Sequence, residues 1–136
     1  MIVIDASLMI AWLLEEQALT LAPTLDEMFE HETLVVPAHW PAEIGNGLVT
    51  NMRRNRVPPD KMDILITQCA VLDIVIEPPV SVEQIGTVVH LAGMQRLTFY
   101  DAAYLQLALE RSIPLGTLDQ DMRSAAQRLG IRLFPA

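Results

Sequence analysis

Three short runs rich in β-branched residues constrain the fold of this chain more than any other feature. They are Ile2-Val3-Ile4, Thr33-Leu34-Val35-Val36 and Ile74-Val75-Ile76. Continuous apolar runs of this length are typical of strands in a parallel sheet that is covered on both faces. Segments with helical periodicity separate the runs, and no hairpin dipeptide joins two of them directly. The pattern therefore predicts an α/β domain in which helices alternate with parallel strands.

Two weaker strand signals follow at residues 114–118 and 131–134, so we expect a parallel sheet of four or five short strands flanked by helices. Ser7 is predicted to cap the first helix, and Gly93 is predicted to end a later one. The sequence has no internal repeat or interdomain linker, and 136 residues with 51% hydrophobic content suit one core. Residues 1–136 are therefore predicted to form a single domain.

Charge and cysteine content restrict the partners and the compartment. Nine Lys+Arg against 17 Asp+Glu give a net charge of -8, which argues against a protein that binds nucleic acid through broad phosphate neutralisation. The single cysteine, Cys69, excludes an intramolecular disulfide, so a reducing cytoplasm is expected. The first residues lack the basic region of a signal peptide, and no apolar run reaches the roughly 18 residues of a spanning helix. We therefore expect a cytoplasmic protein without a membrane partner.

The most apolar helical segment, residues 97–110, carries one carboxylate in its first turn, Asp101. From Ala102 onwards no clean polar face remains, so this helix is predicted to be buried in the middle of the domain. Asp101 has two interpretations. It can be a cap or a charge that complements the helix dipole, or a carboxylate held on a rigid element so that it meets other carboxylates around a metal ion.

Three further acids stand at element boundaries beside apolar runs: Asp5 after the first strand, Glu43 in the first turn of a helix, and Asp119 after a late strand. Each can be a simple cap or turn residue. In a parallel sheet, however, the functional crevice lies at the carboxyl ends of the strands where the strand order reverses, and Asp5 and Asp119 are expected there. Asp5 also follows a buried run, where a charge is costly unless it is paired.

Convergence of these four acids would require cations. At about 5 Å and an effective dielectric constant of roughly 20, each pair of carboxylates repels by about 3 kcal/mol. Oxygen ligands suit Mg²⁺ or Mn²⁺ rather than zinc, since Cys69 and the scattered His31, His39 and His90 do not suggest a nitrogen or sulfur site. An ion held by carboxylates can activate water and brace a phosphodiester. Hydrolysis of a nucleic acid backbone is therefore the hypothesis.

Four segments carry a resemblance to a known family and together span nearly the whole chain. They are Ile4-Asp5-Ala6-Ser7, Pro41-Ala42-Glu43-Ile44-Gly45-Asn46-Gly47-Leu48, Leu97-Thr98-Phe99-Tyr100-Asp101-Ala102-Ala103-Tyr104-Leu105 and Thr117-Leu118-Asp119. With these segments the chain resembles the PIN domain family and, within it, the VapC-type ribonuclease toxins of toxin–antitoxin pairs. The third segment is the most specific. The resemblance implies a single PIN-like domain.

The resemblance also implies a site, an activity and partners. The metal-binding and catalytic acids would be Asp5, Glu43, Asp101 and Asp119, and the polar residues that support them would be Ser7, Asn46 and Thr117. The implied activity is that of a Mg²⁺-dependent endoribonuclease, with Mn²⁺ as a substitute ion. The implied partners are an RNA substrate, a small cognate antitoxin and a second copy of the chain in a homodimer.

Two residues in or next to these motifs need separate interpretations. Asp121 follows Asp119 by two residues and could share its role, although Asp119 follows the strand more closely and matches the Thr-x-Asp pattern. An acid at the solvated start of a helix is the simpler interpretation of Asp121. Gly47 stands inside a predicted helix, where glycine costs roughly 1 kcal/mol relative to alanine. This helix is therefore predicted to be loose.

The basic and aromatic residues give weaker signals. One basic cluster interrupts the acidic chain, formed by Arg53, Arg54 and Arg56. It is either a solvated helix end or a set of RNA phosphate contacts. The tryptophans and tyrosines are not interleaved with basic residues, so they are interpreted as core or interface groups rather than as base-stacking platforms.

Two other functions are compatible with the sequence. The first is a catalytically weak PIN fold that serves as a binding or regulatory module, although the presence of all four acids argues against it. The second is a phosphotransferase or phosphatase of the haloacid-dehalogenase type with Asp5 as the nucleophile. That chemistry usually has a second Asp two residues on, where this chain has Ser7.

Overall fold

Five short parallel strands form one sheet in the order β3-β2-β1-β4-β5 in the computed structural model, which describes residues 1–14 and 22–136. The strands are β1 (Ile2–Ile4), β2 (Leu34–Val36), β3 (Ile74–Ile76), β4 (Leu115–Gly116) and β5 (Leu133–Phe134). Every neighbouring pair is parallel, and Val3 at the centre lies opposite both Val35 and Leu115. The predicted α/β class is confirmed, and both weaker signals correspond to strands.

Seven α-helices connect the strands in the described part of the chain. They are α1 (Ala6–Leu13), α2 (Ala22–His31), α3 (Trp40–Arg53), α4 (Met62–Ala70), α5 (Val82–Gln95), α6 (Phe99–Arg111) and α7 (Gln120–Arg128). A short 3₁₀ turn, Pro59–Lys61, leads into α4. The sequence pattern predicts α2 from about Leu19, and residues 19–21 lie outside the described residues. None of the described helices is long and apolar enough to cross a membrane.

The core is organised around β1 and α6. Val3 and Ile4 are completely buried, as is Leu105 of α6. Helix α6 packs against β1 and β4 of the sheet and against helices α5 and α7. This is the central position that its apolar sequence predicts. The acid in its first turn is therefore attached to a helix that packs on the sheet and on two other helices.

Two predicted helix ends are wrong, each for a local reason. Asp5, rather than Ser7, caps α1, because Asp5 has extended backbone angles and its carboxylate accepts a hydrogen bond of 3.0 Å from the N–H of Leu8. Gly93 lies inside α5, because its backbone stays helical. The helix ends on Arg96, which has a left-handed φ of 57° and donates its N–H to the carbonyl of Ala92.

Gly47 has a packing role in α3. A Cβ atom at this position would lie 2.1 Å from Cδ1 of Ile10 in α1, far closer than two carbon atoms can approach. Helices α1 and α3 pack against each other. The glycine therefore lowers the helix propensity of α3 but allows these two helices to approach each other more closely.

Candidate active site

The strand order reverses between β1 and β4, and two of the four acids lie at this point. In the sheet, β2 lies on one side of β1 and is the next strand along the chain, whereas β4 lies on the other side of β1. Asp5 follows β1 directly, and Asp119 lies three residues beyond the end of β4. The N–H of Asp5 donates to the carbonyl of Gly116 at 3.0 Å, which holds the two strand ends side by side. Both acids therefore lie at the carboxyl edge of the sheet, where α/β folds bind ligands.

Asp5 is only 4% exposed and its carboxylate is surrounded by donors. The hydroxyl oxygen of Ser7 lies 2.8 Å and 2.9 Å from the two carboxylate oxygens, and the Leu8 N–H donates to Oδ1. The hydroxyl of Thr117 donates to Oδ2. Burial raises the pKa of Asp5 to about 6 against the opposing effect of these hydrogen bonds, and the charge of Asp119 contributes to the rise.

Thr117 links Asp5 to Asp119. Its hydroxyl donates to Asp5 and accepts a hydrogen bond of 3.0 Å from the N–H of Asp119. The Asp119 carboxylate in turn accepts a hydrogen bond of 2.9 Å from the N–H of Met122, so Asp119 caps α7. Capping occupies one oxygen of Asp119 and leaves the other available to a ligand.

Asp101 and Glu43 approach from helices. Asp101 lies in the first turn of α6, and its N–H donates to the hydroxyl of Thr98 at 3.1 Å. Thr98 therefore caps α6, while Asp101 lies at the positive end of the helix dipole. Burial raises the pKa of Asp101, and the negative charges of Asp119 and Glu43 raise it further. Asp101 thus shares one electrostatic environment with acids from two other elements.

Two residues outside the predicted set contact Glu43. Tyr104 is 1% exposed, and its hydroxyl donates a hydrogen bond of 2.6 Å to Oε1 of Glu43. Nε2 of His39 lies 3.3 Å from the same oxygen. Burial raises the pKa of Tyr104, and the hydrogen bond to Glu43 and the charge of Asp5 add to the rise. Helical spacing is a signal for both residues, because Tyr104 follows Asp101 by three positions and His39 precedes Glu43 by four.

Arg123 is a further residue that the sequence did not single out. Its Nη1 donates to the carbonyl of Thr117 at 2.9 Å, and its Nη2 donates to the carbonyl of Pro135 at 2.8 Å. Arg123 thereby ties the turn between β4 and α7 to the end of the chain. Because this turn carries both Thr117 and Asp119, we expect Arg123 to help hold these two residues in place.

The remaining predicted residues lie at the margin. Asn46 is exposed one turn beyond Glu43, and Asp121 is exposed in the first turn of α7. Neither side chain hydrogen bonds to the four acids within the ranges that the structure describes. The basic cluster is exposed at the last turn of α3, the helix that carries Glu43 in its first turn. At 1.5 Å per residue, the start of this cluster lies about 15 Å along the helix from Glu43.

The carboxylates of the site suit a hard cation that keeps several of its waters better than a cation that is fully surrounded by protein ligands. Among residues 1–14 and 22–136, no three Asp, Glu, His or Cys side chains are arranged to hold a metal ion by themselves. Mg²⁺ usually keeps several waters and takes only one or two carboxylates from the protein. The raised pKa values of Asp5 and Asp101 reflect burial and an excess of negative charge. A divalent cation would relieve that excess.

Comparisons with known proteins agree with this architecture. A search of curated proteins found no significant match. Among solved structures, the chain is similar to the crystal structure of PAE2754 from Pyrobaculum aerophilum, with a TM-score of 0.72 and 23% sequence identity over 98% of this chain and 83% of that one. At this identity the likeness shows the fold. In a comparison with protein families, residues 2–128 match the PIN domain, and the chain therefore belongs to the PIN domain family.

Proposed function

We propose that this protein is a Mg²⁺-dependent endoribonuclease that acts as the toxin of a type II toxin–antitoxin pair. The PIN domain is generally a metal-dependent nuclease fold, and this general activity defines the reaction class of the proposal. The observation that carries the proposal is the proximity of the four acids. The charges of Glu43 and Asp119 raise the pKa of Asp101, and the charge of Asp119 raises the pKa of Asp5. The toxin role and the homodimer rest on the resemblance of the sequence motifs to VapC-type proteins.

The four acids would hold Mg²⁺, or Mn²⁺ in its place. When bound, the cation supplies an activated water and neutralises charge on the phosphodiester. The chain's own residues orient the ligands: Ser7 and Thr117 direct the oxygens of Asp5, and Tyr104 fixes one oxygen of Glu43. Groups that orient ligands in this way typically contribute 10- to 100-fold to metal affinity, an order-of-magnitude effect.

RNA would reach the acids through local rather than global attraction. The net charge of -8 repels a polyanion, so phosphate contacts must come from exposed cations near the site. The exposed cluster of Arg53, Arg54 and Arg56 at the end of α3 is the candidate in this proposal. A cytoplasmic location also belongs to the proposal, because cellular RNA is accessible there.

Cleavage of RNA by the purified protein tests the activity. We expect cleavage with Mg²⁺, no cleavage with EDTA, and a loss of about 100-fold or more in Asp101→Asn. Asp101→Asn should keep the fold, since Thr98 caps α6. Asp63→Asn, which removes an exposed acid from the first turn of α4, is the matched control and should cleave normally. Equal cleavage in all four samples would contradict the metal mechanism.

Expression in cells tests the toxin role separately. We expect the wild-type chain to arrest growth and Asp101→Asn to be harmless. Co-expression of the small protein encoded beside this gene should restore growth if it is the antitoxin. Arrest by Asp101→Asn at equal expression would show that toxicity does not depend on the acids.

The second candidate is a catalytically weak PIN module that binds without cleaving. This candidate requires no bound cation, and in the described ranges no three Asp, Glu, His or Cys side chains are arranged to hold one by themselves. Calorimetric titration with Mn²⁺ distinguishes the two functions. The nuclease requires saturable binding that Asp5→Asn abolishes, whereas the module predicts no Asp5-dependent binding.

A further inference from the structure

A cavity of about 540 Å³ is lined by residues adjacent to two of the four acids, Glu43 and Asp101. It lies at the carboxyl ends of β2 and β3 and is enclosed by α5 and α6. His39 belongs both to its wall and to the surroundings of Glu43, whose Oε1 is 3.3 Å from Nε2. Tyr100, another wall residue, directly precedes Asp101. A nucleotide whose phosphate lies at the acids can therefore place a neighbouring base in this cavity.

Aromatic rings form one part of the cavity wall. Tyr100 is 59% exposed, so it is not a core residue, in contrast to the buried Tyr104. The ring of His39 meets Tyr100 edge-on with centroids 5.2 Å apart, and Phe99 flanks Tyr100 at 6.3 Å. These neighbours restrict the orientation of the exposed ring. An exposed, braced aromatic ring is a platform on which a nucleobase can stack.

Hydrogen-bond acceptors form another part of the wall. Glu77 and Glu110 both line the cavity, and none of its described lining residues is Lys or Arg. Gln106 donates to Oε1 of Glu110 at 3.0 Å, and Arg111 donates to Glu77. A carboxylate has about four acceptor positions, so each retains capacity for a ligand. Such a wall can accept N–H groups from an uncharged ring.

We propose that this cavity binds bases of the nucleotides next to the scissile phosphate, and that one of these bases is guanine. Guanine presents N1–H and N2–H₂ donors side by side on its Watson–Crick edge, which a carboxylate such as Glu110 can accept. Because Glu110 lies ten residues, or about 15 Å, along α6 from Tyr100, the guanine at Glu110 and the base that stacks on Tyr100 belong to different nucleotides. Uracil offers a single donor on that edge. The volume lies within the range of small-molecule sites. The inference rests on the proposed ribonuclease function, because it names the part of the RNA that enters the site.

Equilibrium binding in EDTA tests this inference without cleavage. The probes are a short oligouridylate and the same oligonucleotide with one central guanosine. We expect the guanosine probe to bind more tightly. Tyr100→Ala should weaken its binding by about 5- to 100-fold, the range that stacking on one aromatic ring supplies. Tyr100→Phe should retain most of the affinity, because it keeps the ring.

A matched pair of variants tests the role of the Glu110 carboxylate. Glu110→Gln should reduce the preference for the guanosine probe by about 5- to 20-fold, because it exchanges one acceptor for a donor. Glu83→Gln removes an exposed carboxylate from α5 that does not line the cavity, so the preference should be unchanged.

The base site and the ribonuclease proposal can fail separately. Guanosine-dependent binding that requires Tyr100, in a protein that does not cleave RNA, would support the base site and contradict the nuclease. Cleavage of RNA together with equal affinity for the two probes would overturn the base site and leave the nuclease standing. Unchanged binding in both Tyr100→Ala and Glu110→Gln would also overturn it, and would favour a side chain of a protein partner as the occupant of the cavity.

Discussion

The hydroxyl of Tyr104 donates a 2.6 Å hydrogen bond to Oε1 of Glu43, a residue 61 positions earlier in the chain. The bond joins the central helix α6 to the first turn of α3. Because Tyr104 is buried and its helix packs against the sheet, the bond ties the Glu43 carboxylate to the core of the domain.

Removal of this hydroxyl should affect metal binding more than folding. In Tyr104→Phe we expect the free energy of unfolding to fall by about 1 kcal/mol, the usual value of one hydrogen bond. The affinity for Mn²⁺ should fall by about 10-fold, because Glu43 loses the group that orients it. Urea unfolding and calorimetric titration measure the two effects. Unaltered Mn²⁺ affinity would show that Tyr104 serves packing alone.

Asp5 should make the metal-free protein less stable as the pH rises. Its pKa is about 6 in the folded state against an ordinary value of 3.8, so the fold favours the protonated acid. The stabilisation is complete below about pH 4 and is lost as the pH rises through about 6. The shift corresponds to roughly 3 kcal/mol. Asp5→Asn cannot ionise, so in EDTA it should be more stable than the wild type at about pH 7.5 and similar at about pH 4.

Addition of Mg²⁺ supplies the control for this prediction. The ion should raise the unfolding midpoint of the wild type at neutral pH, because it binds the folded state and offsets the ionised acids. It should leave Asp5→Asn nearly unchanged. A wild type that is more stable than Asp5→Asn in EDTA at neutral pH would contradict the assigned direction of the pKa shift.

The contact between Gly47 and Ile10 predicts opposite effects for two alanine substitutions in α3. Gly45→Ala has open space around its new Cβ and should stabilise the protein by up to about 1 kcal/mol. Gly47→Ala should destabilise it by up to about 1 kcal/mol, because its Cβ would overlap Cδ1 of Ile10 and that side chain must rotate away. Thermal unfolding measures both.

Ile10→Val removes the overlapping atom and completes the cycle. Combined with Gly47→Ala, it should recover most of the loss, so that the two substitutions are not additive. Equal stabilisation by Gly45→Ala and Gly47→Ala would mean that α1 and α3 are not in close contact at this point.

Arg123 should affect the site indirectly, through the turn that carries Thr117 and Asp119. In Arg123→Lys we expect a loss of about 1–2 kcal/mol in stability, since an ammonium cannot bridge the Thr117 and Pro135 carbonyls as the planar guanidinium does. The Mn²⁺ affinity should fall about threefold or more as the turn with Asp119 loosens. Arg132→Lys, at an exposed position with no side-chain hydrogen bond in the described part of the chain, should change neither quantity.

Local patterns predicted the elements well because their causes are local. Thr98 caps α6 and Ser81 caps α5 through hydrogen bonds that reach only three residues ahead. The exchange of roles between Ser7 and Asp5 was not predictable, because either residue can cap a helix. The extended backbone of Asp5 and the neighbouring β4 turn select Asp5 as the cap and leave Ser7 to donate to its carboxylate.

The candidate site was predictable as a set of acids but not as an arrangement. An acid after a buried strand and acids in first turns are visible in the sequence. Glu43 and Tyr104 meet only because the fold brings the first turn of α3 to α6. The same holds for the cavity beside Tyr100, whose walls come from two strand ends and two helices.

One tripeptide, which occurs twice in the chain, distinguishes what the sequence determines from what the tertiary structure determines. Ile2-Val3-Ile4 and Ile74-Val75-Ile76 are identical in sequence, and both form strands. The first lies in the middle of the sheet and is buried, whereas in the second Val75 is 40% and Ile76 51% exposed at the sheet edge. By itself the sequence determined that each tripeptide is a strand, because β-branched residues favour extended backbone. Only the tertiary structure decided which one is central, since strand order depends on where the intervening helices pack.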